Sequence, residues 1–385
     1  MNIYFWCPFI SEVATIKTVI NTAKSINDYS KNKCKLKIIN AFGEWDQMKK
    51  NLSEIELDII NFNKINFQKF LPSYGFFASR LRYFIIFIKS FFKLHILLKN
   101  KKVDYLFCFL ITSLPLTLSI IFNYKCKIVL RISGYPKLNI LRLFLWKLAK
   151  NKIYLVTCPT KETYKKISGL KIFDDDKIVF LPEPVLCMKE FVNSKKDTEE
   201  INSNKIFNSK DALVTIGRLT KQKNHLFLIN SISEVFEKYK DLKLYIIGEG
   251  ELKPKIENTI KKLNLSHRIF LLGYKKNIFQ YLKNCKCFIL SSLWEDPGYV
   301  LIEAAMSNAN IISSNCPNGP DEILNNGSSG FLFESNSKED LINKFDQFMN
   351  LNTQELNKKK LSAKKKIKIY TIFNHYKYLK NYLNI

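Results

Sequence analysis

Short apolar runs recur along the chain, each closed by a polar turn and followed by a stretch in which apolar side chains return every three or four positions. Runs of the first kind read as buried parallel strands, and stretches of the second kind as helices that cover them, so the alternation predicts βαβ units. In the first half the runs predict strands at Asn2–Trp6, Lys35–Asn40, Val103–Phe109, Lys127–Ile132, Ile153–Cys158 and Ile178–Leu181. In the second half they predict Ala212–Gly217, Lys243–Gly248, Ile269–Gly273, Cys287–Ser291, Ala309–Ser313 and Gly330–Phe333. Six strands in each half point to an α/β chain with two Rossmann-like domains. Residues 190–210 are polar, charged and poor in large apolar side chains, which predicts an interdomain linker. The expected organisation is a first domain over 1–189, the linker 190–210, a second domain over 211–357, and a segment 358–385 that opens with a lysine run and continues as an aromatic helix returning to the first domain.

Two stretches raise the question of a membrane. Tyr105–Phe122 approaches the length of a span, but Pro115 and several hydroxyl side chains interrupt it, and a buried strand followed by a packed helix accounts for it. Arg80–Lys102 mixes Phe, Ile and Leu with Lys and Arg and contains no acid. A helix lying in the membrane interface and a core helix with snorkelling lysines both fit that pattern. The N-terminus lacks a basic segment followed by an apolar one, so it reads as a first strand and not a signal peptide, and a cytoplasmic location is expected.

Composition narrows the class further. The 385 residues carry 61 Lys and Arg against 34 Asp and Glu, a net charge of +27, and residues 1–190 hold 31 of the bases against 14 of the acids. Such an excess favours anionic partners, although much of it is spread along a chain rich in Lys, Asn and Ile. The nine cysteines are scattered and never form a CxxC pair, and the four histidines have no metal-ligand spacing, so neither a disulfide framework nor a zinc site is implied.

The chemistry-bearing residues cluster in the second half. The strand Ala212–Gly217 runs into Gly217-Arg218-Leu219 and then Lys223, which puts two cations at the carboxyl end of a strand, where open α/β sheets bind ligands. Two fixed cations can neutralise a leaving diphosphate. Gly248-Glu249-Gly250 and Gly273 close the next two strands and allow a ligand to approach the backbone. The segment Ser291–Ala305 then sets Glu295 on a loop and Glu303 eight residues later in a helix that begins near Gly298. A carboxylate there can accept hydrogen bonds from both ribose hydroxyls, while the helix N-terminus favours phosphate. Asn315–Phe333 finishes the series as a glycine- and proline-shaped loop, a short helix and a strand.

In order and spacing these pieces, from Leu213 to Phe333, resemble the retaining family-4 glycosyltransferases (glycosyl transferases group 1), which have the GT-B fold of two Rossmann-like domains facing each other across a cleft. Glu295 and Glu303 match the family's Glu-x7-Glu, and Gly217, Arg218, Leu219 and Lys223 match its Gly-Arg-Leu…Lys stretch. The resemblance implies that Arg218 and Lys223 bind the donor diphosphate, Glu303 the ribose and Glu295 the transferred sugar. It implies further that Gly217, with backbone around Gly298, Tyr299 and Val300, completes the sugar and phosphate pocket, and that Tyr274 to Asn277 hold the base. Arg131, in Arg131-Ile-Ser-Gly134, stands where members place residues facing the donor. Two departures accompany the match: Asp296-Pro297-Gly298 replaces the usual Glu-Gly-Phe, and the loop Pro8–Thr15 after the first strand has no glycine.

Asp174–Asp176 contains the Asp-x-Asp spacing of metal-dependent enzymes but reads as a solvated turn, so no metal and no cofactor is expected. The resemblance implies transfer with retention by front-face attack assisted by the leaving diphosphate, and Lys223→Ala is expected to lower turnover sharply with little unfolding. The expected partners are a nucleotide-sugar donor, most commonly a UDP-sugar in the family, and a saccharide acceptor, lipid-linked at the inner membrane face as in bacterial surface polysaccharide assembly. No nucleic acid is expected. A nucleotide-sugar epimerase of GT-B fold and a non-enzymatic nucleic-acid-binding protein stand as the alternatives.

Overall fold

Among the described residues of the computed structural model, which are 1–9, 14–63, 65–68, 76–132, 138–198, 201, 207 and 209–385, seven strands build one parallel sheet and six build another. The first unit comprises Met1–Pro184 together with Ile372–Ile385, and the second comprises Val185–Thr371.

In the first unit the strands are β1 (Asn2–Trp6), β2 (Lys35–Asn40), β3 (Asp58–Asn61), β4 (Tyr105–Cys108), β5 (Lys127–Arg131), β6 (Ile153–Cys158) and β7 (Ile178–Phe180), in the order β3-β2-β1-β4-β5-β6-β7. Both faces of such a sheet must be covered, and the near-continuous apolar character of β1, β4 and β5 follows from that. On one face the helices Phe76–Asn100, Ser113–Ile121 and Ile140–Ala149 bury Ile86, Leu94, Leu116 and Trp146 against the sheet. On the other, Ala14–Tyr29 and Ile372–Leu383 bury Val19, Ile26, Leu379 and Leu383 against Phe5, Tyr105 and Phe107. The last helix is also tied by polar contacts. Tyr105 Oη donates to the Leu383 carbonyl at 2.9 Å, and the buried His375 ring lies 2.7 Å from the Pro182 carbonyl and 3.3 Å from Thr22 Oγ1.

The second unit orders β8 (Ala212–Ile216), β9 (Lys243–Ile247), β10 (Ile269–Gly273), β11 (Cys287–Leu290), β12 (Ile311–Ser314) and β13 (Phe331–Phe333) as β10-β9-β8-β11-β12-β13. The direction of winding reverses between β8 and β11, which are hydrogen-bonded neighbours. Loops leaving the carboxyl ends of these two strands therefore diverge and open a crevice.

Three features differ from the sequence reading. Strand β3 escaped it because its apolar part is only Ile59-Ile60, half-buried at the sheet edge. The stretch expected to be linker opens with the helix Met188–Lys196, which belongs to the second unit: Phe191 packs edge-on against Phe279 at 5.1 Å, and Asn277 Nδ2 donates to the carbonyls of Ser194 and Asp197. The boundary thus falls at Pro184/Val185 instead of 190, because these few contacts anchor a mostly polar helix. At the other end, Thr353–Lys366 is a helix of the second unit and only Ile372–Ile385 counts with the first. Tyr105–Phe122 forms β4 and the helix Ser113–Ile121, and no helix among the described residues is long and apolar enough to cross a membrane.

Candidate active site

The site is built where the second sheet changes winding direction. Strand β8 ends at Ile216 and passes through Gly217 and the exposed Arg218 into a single 3-10 turn, Lys221–Lys223, and Asn224 takes a left-handed conformation (φ 54°) before the helix His225–Lys238 starts. From the neighbouring β11 the chain continues through Ser291, Ser292 and Trp294 to Glu295. The two loops are stitched together: Leu293 N–H donates to the Gln222 carbonyl at 2.8 Å, Gln222 Nε2 to the Trp294 carbonyl at 2.9 Å, and Ser291 Oγ to the Lys223 carbonyl at 3.0 Å.

These bonds bring Lys223 and Glu295 together. Lys223 Nζ lies 2.5 Å from Glu295 Oε1, with the lysine side chain 13% and the glutamate side chain 5% exposed. Ser292 Oγ donates to the same oxygen at 2.5 Å. Among the described residues Oε1 takes both bonds, which leaves Oε2 for a ligand. The expectation of little unfolding in Lys223→Ala is corrected by this geometry, since a buried carboxylate stripped of its cation is costly. Sequence reasoning missed Ser292; its only signal was a hydroxyl placed directly after a strand, three residues before the carboxylate.

The floor is backbone. Gly217 N–H donates to the Ile247 carbonyl and Gly248 N–H to the Gly273 carbonyl, both at 2.9 Å. Gly248 has φ +140°, and a Cβ there would fall 2.1 Å from the Gly217 carbonyl oxygen, so the close approach of the two strand ends requires glycine. Behind Lys223 sits His225, 2% exposed, its ring facing the carbonyls of Gly217 and Arg218. Burial, reinforced by the Lys223 charge, pushes its pKa down to about 4, so the ring is neutral at ordinary pH.

Beyond Glu295 the chain passes a cis Asp296-Pro297 bond to Gly298, which caps the helix Tyr299–Met306. Glu295 N–H donates to the Pro317 carbonyl, and Asn318 Nδ2 to Asp296 Oδ1, both at 3.0 Å. Gly319 runs against this loop so tightly that a Cβ would meet the Pro297 carbonyl oxygen at 2.0 Å. Glu303 is buried on the helix that Gly298 opens, with Val300 one turn before it. Tyr274, just past β10, is 74% exposed and presents an open ring, whereas Asn277 is buried and spends its amide on the helix Met188–Lys196.

Arg131 lies in the first unit, at the end of β5. Its Nε and Nη2 reach Glu183 Oε1 at 2.8 and 2.6 Å, and its guanidinium sits 5.7 Å from the Phe109 ring centroid. Of the stretch around it, Ser133 and Gly134 lie outside the described residues, as do residues 10–13 of the glycine-free loop. The Asp174–Asp176 turn is paired with lysines: Asp174 with Lys177 at 2.8 Å and Asp175 with Lys171 at 4.0 Å.

Two parallel doubly wound sheets, with a cation–carboxylate pair at the winding reversal of the second, define the GT-B class. Within it, residues 196–367 match the family described as Glycosyl transferases group 1. The chain is 49% identical over 119 residues to an uncharacterized glycosyltransferase of Methanocaldococcus jannaschii, covering 31% of this chain and 29% of that protein. It is 32% identical over 130 residues to the N-acetylgalactosamine-N,N'-diacetylbacillosaminyl-diphospho-undecaprenol 4-alpha-N-acetylgalactosaminyltransferase of Campylobacter jejuni, covering 34% of this chain and 35% of the relative. These matches therefore span about a third of each relative's length. Over the whole chain the fold is similar to that of the Anabaena protein HepE in complex with UDP, with a TM-score of 0.76, 15% identity and complete coverage of both chains.

Proposed function

We propose that this chain is a retaining hexosyltransferase that moves a sugar from a nucleotide-diphosphate donor, a UDP-sugar, to a lipid-linked saccharide without a metal ion. The observation that carries the reading is the pairing of Lys223 with the buried Glu295 at the reversal between β8 and β11, beside the exposed Arg218. Lys223 and Arg218 neutralise the diphosphate, Glu295 takes sugar hydroxyls through Oε2, and Ser292 keeps the carboxylate oriented. Glu303 holds the ribose, Tyr274 stacks on the base, and the first turn of Tyr299–Met306 offers N–H groups to the phosphate.

As the glycosidic bond lengthens, charge grows on the leaving diphosphate and on an oxocarbenium-like ring. Fixed cations stabilise the first, and Glu295 stays near the second as an acceptor of hydroxyl hydrogen bonds. The leaving phosphate itself takes the acceptor's proton on the same face, which gives retention. Supporting the acceptor class, the Campylobacter jejuni relative carries a lipid diphosphate substrate in its name, and the UDP in the HepE complex supports the base. The setting is assembly of a bacterial surface polysaccharide such as lipopolysaccharide or capsule, at the inner face of the cytoplasmic membrane.

A thermal-shift series with UDP-, GDP- and ADP-sugars in EDTA tests donor and metal together. Stabilisation by a UDP-sugar in EDTA is expected. A shift that appears only after a divalent ion is added removes the metal-free reading, and a β-linked product from an α-linked donor, read from the anomeric proton coupling, removes retention.

A further inference from the structure

The helix Phe76–Asn100 is apolar on two sides. One stripe, Ile86, Ser90, Leu94 and Leu98, is buried against the sheet. A second, Leu81, Phe84, Ile88, Phe92 and Ile96, repeats at the same helical interval but is 50–71% exposed. The helix Ile140–Ala149 repeats the pattern: Trp146 and Ala149 are buried, while Ile140, Leu141, Phe144 and Leu148 are 51–85% exposed. Both helices cover the same sheet face, with Ser113–Ile121 packed against each, and the exposed Ile121 ends that middle helix. Single exposed apolar residues are ordinary, but two adjoining stripes on one layer form a surface that needs a partner.

Charge identifies the partner. Residues 59–161, which contain all three helices, hold 18 Lys and Arg against one acid, Asp104. Exposed lysines border both stripes, Lys99, Lys101 and Lys102 at the end of the first helix and Lys147, Lys150 and Lys152 along and after the second. Large apolar side chains ringed by cations, on helices too short or too charged to span, match the boundary between acyl chains and anionic headgroups. We propose that this face of the first unit docks on an anionic lipid bilayer, with Ile140–Ala149 as an equal half of the docking surface beside Phe76–Asn100. The lipid-linked acceptor gives the docking its purpose, but the docking itself rests on the surface alone.

Flotation of the full chain with neutral phosphatidylcholine vesicles and with vesicles containing phosphatidylglycerol tests it without any sugar chemistry. The expected result is binding to the anionic vesicles only, weakened by salt. Ile88→Glu/Phe92→Glu and Ile140→Glu/Phe144→Glu should each weaken it at least tenfold, and Lys147→Glu/Lys150→Glu by about fivefold per lysine. All of these positions are exposed, so the donor-induced thermal shift should be that of the parent chain. Equal affinity for neutral vesicles, absence of binding, or an Ile140→Glu/Phe144→Glu variant that floats like the parent overturns the proposal. So does a lipid-free dimer, seen by sedimentation equilibrium, that the same substitutions abolish, because a second copy would then cover the face. A failed flotation beside a normal donor shift leaves the transferase reading standing, and the converse leaves the docking standing.

Discussion

Removing Lys223 perturbs two properties that can be separated. The ammonium and the Glu295 carboxylate are both largely buried and 2.5 Å apart, so Lys223→Met leaves an uncompensated carboxylate whose remaining support among the described residues is one hydroxyl hydrogen bond from Ser292. Breaking such a pair costs about 3 kcal/mol, which is roughly 6 to 12 °C in the melting temperature of a domain of this size. A drop in activity in that variant is therefore ambiguous. The informative variant is Lys223→Met/Glu295→Gln, which removes both charges, keeps the shapes and lets Ser292 donate to a neutral amide oxygen. Its melting temperature should return most of the way to that of the parent chain. If Lys223 neutralises the leaving diphosphate, turnover stays down by about a hundredfold or more, the usual result of losing one preorganised group that stabilises developing charge. The assay pairs differential scanning calorimetry with the rate of nucleoside diphosphate release at saturating donor. A double variant that recovers stability and also turns over within tenfold of the parent would refute the catalytic assignment and leave the pair a purely structural one.

Arg218 is exposed, so Arg218→Ala should leave the melting temperature within about 1 °C while weakening donor binding in calorimetric titration; an unchanged donor affinity would count against its role. Gly319→Ala places a Cβ 2.0 Å from the Pro297 carbonyl oxygen at φ +138°, and should both destabilise the second unit and loosen donor binding, with a normal melting temperature arguing against the tight approach of these loops. Acid should act unequally on the two units. His225 and His375 are each held down to about 4, so each contributes stability that is present above pH 6.5 and lost as pH falls toward 4, about 3 kcal/mol apiece. In the first unit Glu44, raised to about 7 by burial, has the opposite sign: its contribution is present below pH 4.5 and lost as pH rises through 7, and it offsets His375. Hydrogen exchange at pH 7 and pH 4.5, corrected for intrinsic rates, should show lost protection confined mainly to the second unit, and equal loss in both would contradict the assignment.

The strands that bury long apolar runs on both faces were legible in the sequence, and so was the chain order of Arg218, Lys223, Glu295 and Glu303, because strand ends fix where such side chains emerge. What was illegible depended on partners distant in sequence. Strand β3 has two apolar residues and takes its place only by pairing with β2. Met188–Lys196 reads as linker because, among the described residues, one aromatic contact and carbonyls accepting from Asn277 and Gln280 hold it. Nothing in the sequence signalled that the Asn277 amide donates to the carbonyls of Ser194 and Asp197. The exposed stripe on Ile140–Ala149 was hidden for another reason: spacing shows that a helix has an apolar side, and only packing shows that the side facing the sheet is a different one.

The helix Ile372–Leu383 follows the whole of the second unit in sequence, yet its Leu379 and Leu383 complete a core that includes Ile3 and Phe5. During synthesis the first sheet emerges early and waits, one face only partly covered by Ala14–Tyr29, while the whole of the second unit is translated. The second unit has no such dependence and can close first. The second unit can thus be complete before the first, and a chain halted before Ile372 lacks the Leu379 and Leu383 side chains that finish the core around Phe5, Tyr105 and Phe107.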